Sequence, residues 1–163
     1  MYSDAIISPC RQYRYSLSRM WGTVRTRRCL FIMLNPSTAD AFTADPTIRR
    51  CLAFCTAWGY DNLEVVNLFA YRATDPKTLI HTPDPVGPDN DLYLKHAITD
   101  STKVICAWGA NEAIRVLGYR DQDVLTLVKQ YRDPYCLGIT KGGYPRHPLY
   151  VKGDVQPIPY EGN

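Results

Sequence analysis

Four apolar runs constrain the fold of this chain more than any other feature. They are CLFIML (29–34), LEVVNLFAY (63–71), KVICAWG (103–109) and YCLGIT (135–140). Continuous apolar runs of this length are typical of strands that are buried on both faces. Because segments with helical periodicity separate them, they predict a parallel sheet joined by right-handed crossovers. We expect a three-layer α/β/α fold with a central, mostly parallel sheet of four strands.

The intervening segments carry the start and stop signals of helices. Asp45 is suited to cap a helix that begins at Pro46 and runs to about Trp58, and Gly59 ends it. Further helices are predicted over residues 89–101, 110–118 and 121 to about 131.

Before the first helix, QYRYSLSRMW (12–21) and RRCLFIML (27–34) are joined by Gly22 and Thr23, which predicts an antiparallel hairpin. The length of 163 residues predicts one domain. We expect it to consist of a basic-aromatic hairpin at about 11–28, a core at about 29–151 and a tail, 152–163, with little order.

Composition excludes several classes of protein. Apolar residues make up 45% of the chain, which excludes a disordered chain and a coiled coil. No run approaches the ~18 apolar residues that span a bilayer, and the N-terminus lacks the pattern of a signal peptide. We therefore expect a cytoplasmic protein without a membrane partner.

The six cysteines form no CxxC pair, which argues against a zinc ribbon. Cys51 and Cys55 share a helix face and either bind a metal ion or, as we favour, pack in the core as small hydrophobic side chains. No Gly-rich phosphate loop, HExxH or GxSxG motif is present, which excludes the corresponding triphosphate, zinc-protease and hydrolase sites. We expect neither a metal nor another cofactor.

Positive charge is concentrated near the N-terminus. The net charge is +3, and the stretch between Arg11 and Arg28 holds six arginines and no acidic residue. Arginine interleaved with aromatic side chains suits contact with phosphates and bases. An exposed hairpin that is merely soluble has the same composition, so both interpretations stay open.

Polar clusters follow each of the four apolar runs. They cover residues 35–40, 67–72, 108–109 and 141–147. The carboxyl ends of parallel strands meet at one edge of a sheet, where ligands bind in such folds. We therefore expect these clusters to form one pocket.

Two asparagines in these clusters are candidate functional residues. Asn35 either closes a turn onto the backbone or orients a water molecule or a substrate. Asn67 lies inside an apolar run, and its amide bonds either to neighbouring loops or to the edge of a base. Phe42, Tyr71 and Trp108 are candidate surfaces for stacking on a base, although Trp108 is alternatively part of the core.

Three further residues are candidates for acid–base chemistry. His147 suits an acid or a neutral donor to a developing anion, because the pKa of histidine lies near neutrality, although a loop histidine is more often incidental. Asp45 is explained most simply as an N-cap. Asp40 has no such role, so it is the candidate for activating water.

Seven motifs extend from about Tyr13 to Val151. They are FIMLNPSTAD, DPTIRRC, WGY, VVNLFAYRATDP, DPVGPDND, AWG and LGITKGGYPRHPLYV. Together they resemble a bacterial and phage domain family of unknown function. The order of elements is also similar, more distantly, to the uracil-DNA glycosylase superfamily. There, successive strands end in a GxNP-type motif, in Asn and in Gly, and an HPS-type loop closes the site.

This second resemblance implies a uracil-DNA glycosylase-like fold and a role for each matching residue. Asn35 would position the attacking water, Asn67 would bind the flipped base, and His147 would stabilise the departing base anion. The chain has HPLY in place of HPS, and no glycine precedes Asn35 at the expected place. The candidate contacts to the DNA backbone are Ser37, Arg72, Lys141, Arg146, Arg14 and Arg19.

We therefore expect a DNA glycosylase-like enzyme. It would hydrolyse the N-glycosidic bond of a damaged or modified base, of pyrimidine type, flipped from single- or double-stranded DNA. One alternative is a non-catalytic nucleic-acid or nucleotide-binding module with the same pocket. Another is a hydrolase of free nucleotides or nucleosides.

Overall fold

The computed structural model describes residues 1–23, 27–37 and 45–163. Within these residues, seven strands form one sheet in the order β1-β2-β4-β3-β5-β6-β7. The strands are β1 (Tyr2–Ile7), β2 (Arg14–Met20), β3 (Arg28–Met33), β4 (Asn62–Asn67), β5 (Lys103–Cys106), β6 (Pro134–Cys136) and β7 (Ile158–Pro159). The helices are α1 (Pro46–Ala57), α2 (Lys77–Ile80), α3 (Asn90–Asp100), α4 (Glu112–Val116), α5 (Arg120–Tyr131) and a 3-10 helix (Pro148–Tyr150).

The middle of the sheet confirms the predicted parallel arrangement. The strands β4, β3, β5 and β6 are neighbours and run parallel. Antiparallel strands extend both edges, with β2 and β1 beyond β4 and with β7 beyond β6. The fold is therefore mixed α/β, and the apolar pattern predicts neither β1 nor β7.

Helices cover both faces of the sheet, as expected for strands buried on both sides. Along β3, Cys29, Phe31 and Met33 belong to a buried cluster that includes residues of α1. The alternate residues Leu30 and Ile32 belong to a second cluster that includes residues of α3 and α5. This alternation explains why the run is apolar at every position. In the described parts of the chain, no helix has both the length and the apolar character needed to cross a membrane.

The helix α1 begins and ends where the sequence predicts. The Asp45 carboxylate accepts a hydrogen bond from the Ile48 N–H at 2.8 Å, and Pro46 occupies the first turn. After Ala57 the chain turns at Gly59, whose φ of +83° is readily accessible to glycine. The cap places the N-terminus of α1 next to the segment that follows β3.

The predicted hairpin between β2 and β3 is wrong. The strand β4 lies between them, antiparallel to β2 and parallel to β3, while β1 pairs with the outer edge of β2. The chain after β2 packs on the start of β4, where the N–H groups of Trp21 and Gly22 donate to Asp61 O at 3.0 and 3.4 Å. Local turn signals do not reveal an inserted strand, because its pairing depends on residues distant in the sequence.

The C-terminal tail is more ordered than expected. The strand β7 pairs with β6, and Tyr160 is only 1% exposed. The Tyr160 hydroxyl donates to Gly143 O at 3.0 Å, and its ring packs edge-on against Trp108 with centroids 6.1 Å apart. One buried aromatic side chain therefore anchors a largely polar segment.

Candidate functional site

A cavity of about 510 Å³ lies at the carboxyl ends of β3, β4 and β5. Its wall includes Asn35 after β3, Asn67 at the end of β4 and Trp108 after β5. His147, which precedes the 3-10 helix, and Asp45, which caps α1, also line it. The expected meeting of the strand-end clusters in one pocket is therefore observed.

The Asn35 amide connects two strand ends. Its Nδ2 group donates to Ala73 O at 2.8 Å and to Pro36 O at 3.1 Å. These bonds tie the end of β3 to the segment that follows β4. Among the described residues nothing donates to Oδ1, so this oxygen can accept a hydrogen bond from water or a ligand. The nitrogen has a structural role, and the oxygen is available at the cavity.

Asn67 ends β4 with its side chain in the cavity wall and is only 2% exposed. Its Nδ2 atom is buried and has no hydrogen-bond partner among the described residues. An unpaired buried donor costs ~1–3 kcal/mol, so a ligand that accepts a hydrogen bond here removes that cost. The backbone is held by Asn90, whose Nδ2 donates to the backbone oxygens of Asn67 and Leu68 at 3.0 and 3.1 Å.

The His147 ring is held as a neutral donor. Its Nδ1 accepts a hydrogen bond from the Leu149 N–H at 3.1 Å, which leaves the proton of the neutral ring on Nε2. Burial lowers the pKa of His147 below its ordinary value of 6.5, although the Asp45 carboxylate acts in the opposite direction. A neutral imidazole with a proton on Nε2 can stabilise an anion at neutral pH.

Asp45 belongs to the cavity as well as to α1. While Oδ1 caps the helix, Oδ2 accepts a hydrogen bond from the Ser37 hydroxyl at 3.2 Å. The negative charge raises the pKa of both His147 and Arg14, against the effect of their burial. The residue that the sequence explains as a cap is therefore also a carboxylate beside the polar groups of the cavity.

Arg14 lines the same cavity, although it lies on the antiparallel strand β2, and it is only 3% exposed. Arg14 and Ser16 face consecutive residues of β1, so Tyr15 is the extra residue of a β-bulge. A bulge re-aims the side chains beside it, which accounts for the position of Arg14. Burial lowers the pKa of Arg14 to about 10, so the guanidinium remains charged at neutral pH.

The other predicted site residues fall into three groups: those that line the cavity, those that do not, and those outside the described residues. Three line it: Ser37, Trp108 and Arg146. Four do not: Tyr71, Arg72, Lys141 and Arg19. Two lie outside the described residues: Asp40 and Phe42.

Within the described part of the basic stretch some arginines are buried and others exposed, and binding of a polyanion there stays a prediction. Arg19 is only 3% exposed, and Arg28 forms an ion pair with Glu64 at 2.8 Å. The Arg72 guanidinium donates to Arg11 O at 3.1 Å, which ties the segment after β4 to the chain before β2. Several of these arginines therefore serve contacts within the fold.

Tyr71 also serves such a contact. Its ring packs edge-on against Tyr13, with centroids 5.9 Å apart, and the two residues form an antiparallel bridge. Tyr71 does not line the cavity, and its stacking on a base stays a prediction. Trp108 is part of the core, with 2% exposure, and also lines the cavity, so stacking of its ring on a base stays a prediction.

Cys51 and Cys55 pack in the core, as favoured. Both are 0% exposed and lie with Cys29 in the cluster between α1 and β3. Burial raises the pKa of Cys29 and Cys51 well above the ordinary value of 9.0, so both are neutral thiols. In the part of the chain that the structure describes, no three His, Cys, Asp or Glu side chains are placed to hold a metal ion.

The model of the protein family DUF1643, which is described as a protein of unknown function, matches residues 14–149. The chain belongs to this family. The match begins at Arg14 and includes Asn35, Asn67 and His147, whereas β1 and the tail with β7 lie outside it. No curated protein and no solved structure matches the chain.

Sequence reasoning missed the positions of two residues and the role of a third. Arg14 is predicted as a contact to the DNA backbone, because no local sequence pattern indicates the bulge at Tyr15 that directs it into the cavity. Asp45 is sufficiently explained as a cap, and nothing in the sequence indicates that the cap faces a cavity. Asn90 lies in the motif DPVGPDND, but its bonds to the end of β4 join segments that are more than 20 residues apart.

Proposed function

We propose that this protein is a DNA glycosylase-like hydrolase on a uracil-DNA glycosylase-like fold. It cleaves the N-glycosidic bond of a damaged or modified pyrimidine base flipped from DNA. The observation that carries the proposal is the buried Nδ2 group of Asn67, which has no partner among the described residues and lies in one cavity with Asn35 and His147. Its volume of about 510 Å³ suits a small molecule such as a nucleoside.

Base recognition depends on Asn67. A carboxamide both donates and accepts, so it can pair with the edge of a base that presents a carbonyl oxygen next to an N–H group. Extrusion of the nucleotide from the stack costs a few kcal/mol, and less for a mispaired or damaged base. A hydrogen bond from the unpaired Nδ2 group of Asn67 to the base offsets part of that cost and favours the base with the matching edge.

Hydrolysis then uses the polar groups around the base. Water attacks C1′ of the sugar while the bond from C1′ to the base nitrogen breaks, and the bonding electrons leave with the base. Asn35 Oδ1 accepts a hydrogen bond from this water, and the Asp45 carboxylate takes the proton that the water loses. The Nε2–H of His147 donates to the base anion, which later takes a proton from solvent. Acid–base assistance contributes ~10²–10⁴ in rate and a preorganised donor ~10²–10³.

DNA would bind across the opening of the cavity. Arg146 is exposed and lines the cavity, and Ser37 lies beside Asp45. A guanidinium and a hydroxyl at this position suit contacts to the phosphates on either side of a flipped nucleotide. Such binding weakens as the salt concentration rises.

The direct test is base release from oligonucleotides. Single- and double-stranded oligonucleotides that carry uracil or modified pyrimidines are incubated with the full chain and then cleaved with alkali. We expect strand scission at the modified position, reduced at least about 100-fold in Asn35→Ala and in His147→Ala. The matched control is His96→Ala, because His96 is exposed on α3 and does not line the cavity.

Absence of scission on every substrate would overturn the proposal. If binding to DNA persisted without an abasic product, the protein would be a binding module that uses the same pocket. Equal loss of activity in His96→Ala and His147→Ala would remove the assigned role of His147.

A second candidate is a hydrolase of free nucleotides or nucleosides. It is favoured by the burial of Arg19 and by the position of Arg14 inside the cavity, where a guanidinium can hold the phosphate of a small ligand. Chromatography of nucleotide and nucleoside mixtures decides between the two. Base release from monomers, with none from oligonucleotides, would favour this second candidate.

A further inference from the structure

Arg14 is charged, buried in the cavity wall and not used in the reaction proposed above. We propose that Arg14 forms an oxyanion subsite next to Asn67, so that the cavity takes a nucleobase compound carrying a carboxylate or a phosphate. This inference rests on the proposed function only in that the rest of the ligand is a nucleobase.

The backbone directs Arg14 to this position. The bulge at Tyr15 separates Arg14 from Ser16, and the Arg14 N–H donates to Ala70 O at 2.9 Å, just beyond the end of β4. The strand β2 is the neighbour of β4, which ends at Asn67. The guanidinium therefore enters the cavity from the strand next to the proposed base-binding amide.

The charges of the cavity favour an anion. Of the described residues that line it, Arg14 and Arg146 carry positive charge and Asp45 carries negative charge. The Asp45 carboxylate already accepts hydrogen bonds from Ile48 N–H and the Ser37 hydroxyl. Among these described residues the positive charges outnumber the negative one, which favours an anionic ligand.

The hydrogen-bonding groups of the wall also favour oxygen acceptors. Asn67 Nδ2 and Trp108 Nε1 are buried donors without a partner among the described residues, and both residues line the cavity. A guanidinium binds a carboxylate or a phosphate through two parallel hydrogen bonds. Because the subsite adjoins Asn67, the oxyanion is attached either directly to the base or through the sugar as a phosphate.

The test measures binding, not turnover. Calorimetry with the full chain compares uracil with uracil that bears a ring carboxylate, and uridine with uridine 5′-monophosphate; inorganic phosphate is a fifth probe. We expect one charged compound to bind about 10- to 100-fold more tightly than its uncharged parent. The pair that shows this preference identifies the source of the oxyanion.

Variants assign the preference to Arg14. In Arg14→Met the ratio between the charged and uncharged compounds is expected to fall to about 1, and in Arg14→Lys it is partly kept. The matched control is Arg19→Met, since Arg19 is equally buried on the same strand but does not line the cavity. Thermal unfolding reports whether each variant folds, and Arg14→Gln replaces Arg14→Met if the latter does not.

Two results would overturn the inference: no preference for either charged compound in the unchanged protein, or a preference that survives in Arg14→Met and Arg14→Gln. Failure of the proposed function looks different. If binding of a charged compound depends on Arg14 but no substrate releases a base, the oxyanion subsite is supported and the glycosylase activity is refuted.

Discussion

At the residue scale, several side chains in the cavity use one polar atom to bond to the backbone and keep a second polar atom for a ligand or for water. Asn35 is fixed through Nδ2 and keeps Oδ1 available. His147 is fixed through Nδ1, which caps the 3-10 helix, and so carries its proton on Nε2. Asp45 caps α1 through Oδ1. Such anchoring reduces the reorganisation that a reaction requires, which is how preorganised sites gain rate.

The two functions of Asp45 can be separated by substitution. Asp45→Ala removes the cap and is expected to lower the free energy of unfolding by about 1 kcal/mol, whereas asparagine caps as well as aspartate. Asp45→Asn should therefore stay close to the original stability but lose ~10²–10⁴ in the rate of base release, because the proton acceptor is gone. Urea denaturation and the scission assay measure the two effects. Full activity in Asp45→Asn would show that the carboxylate is only a cap.

His147 makes stability depend on pH in a defined direction. Because burial lowers its pKa in the folded state, the unfolded chain binds the proton more readily. The free energy of unfolding should therefore fall as the pH drops below 6.5, down to the lowered pKa of the folded state. The decrease should be smaller in His147→Gln, measured by urea denaturation across this range. A His147 ring that titrates above 6.5 in NMR spectra would contradict the assignment.

At the scale of elements, the cavity depends on how strands meet more than on any one strand. The polar ends of β3, β4 and β5 come together because the three strands are parallel neighbours. The strand β2 contributes Arg14 only because it pairs with β4 and carries a bulge. The chain just after β2 also contacts the chain just before β4, where the Gly22 N–H donates to Asp61 O.

Gly22 is the position in this connection that excludes a side chain. A Cβ atom there would overlap with Cβ and Oδ2 of Asp61. Gly22→Ala should lower the free energy of unfolding by about 1–3 kcal/mol, as overpacking does. Gly153→Ala is the matched control, since its nearest neighbour, Arg50, would be 3.6 Å away. Equal stabilities of the two variants in urea would show that the connection adjusts freely.

At the scale of the whole molecule, the tail holds the loop that carries His147. Tyr160 and β7 lie outside the part of the chain that matches the family, yet the Tyr160 hydroxyl bonds to Gly143 in that loop. Gln122 on α5 donates to Asn163 Oδ1 at 2.7 Å, which fastens the end of the tail. The site is therefore supported by a segment that follows it in the sequence.

Removing the tyrosine hydroxyl tests this support. Tyr160→Phe should lower the free energy of unfolding by about 1 kcal/mol, because the part-buried hydrogen bond to Gly143 O is lost. Amide hydrogen exchange in residues 140–147 should become faster in the variant than in the original protein, while exchange in the sheet stays the same. Tyr131→Phe is the control, because Tyr131 is 38% exposed at the end of α5. Unchanged exchange in this loop would show that the tail does not hold it.

Local sequence patterns determined the parallel core, α1 with its cap and the meeting of polar strand ends, since these follow from runs of neighbouring residues. The place of β4 between β2 and β3, the position of Arg14 in the cavity and the anchoring of Tyr160 were decided by the tertiary structure alone. Each depends on a partner distant along the chain: the edge of a strand, a bulge defined against β1, or a carbonyl oxygen in another loop. Short-range periodicity carries no information about such partners.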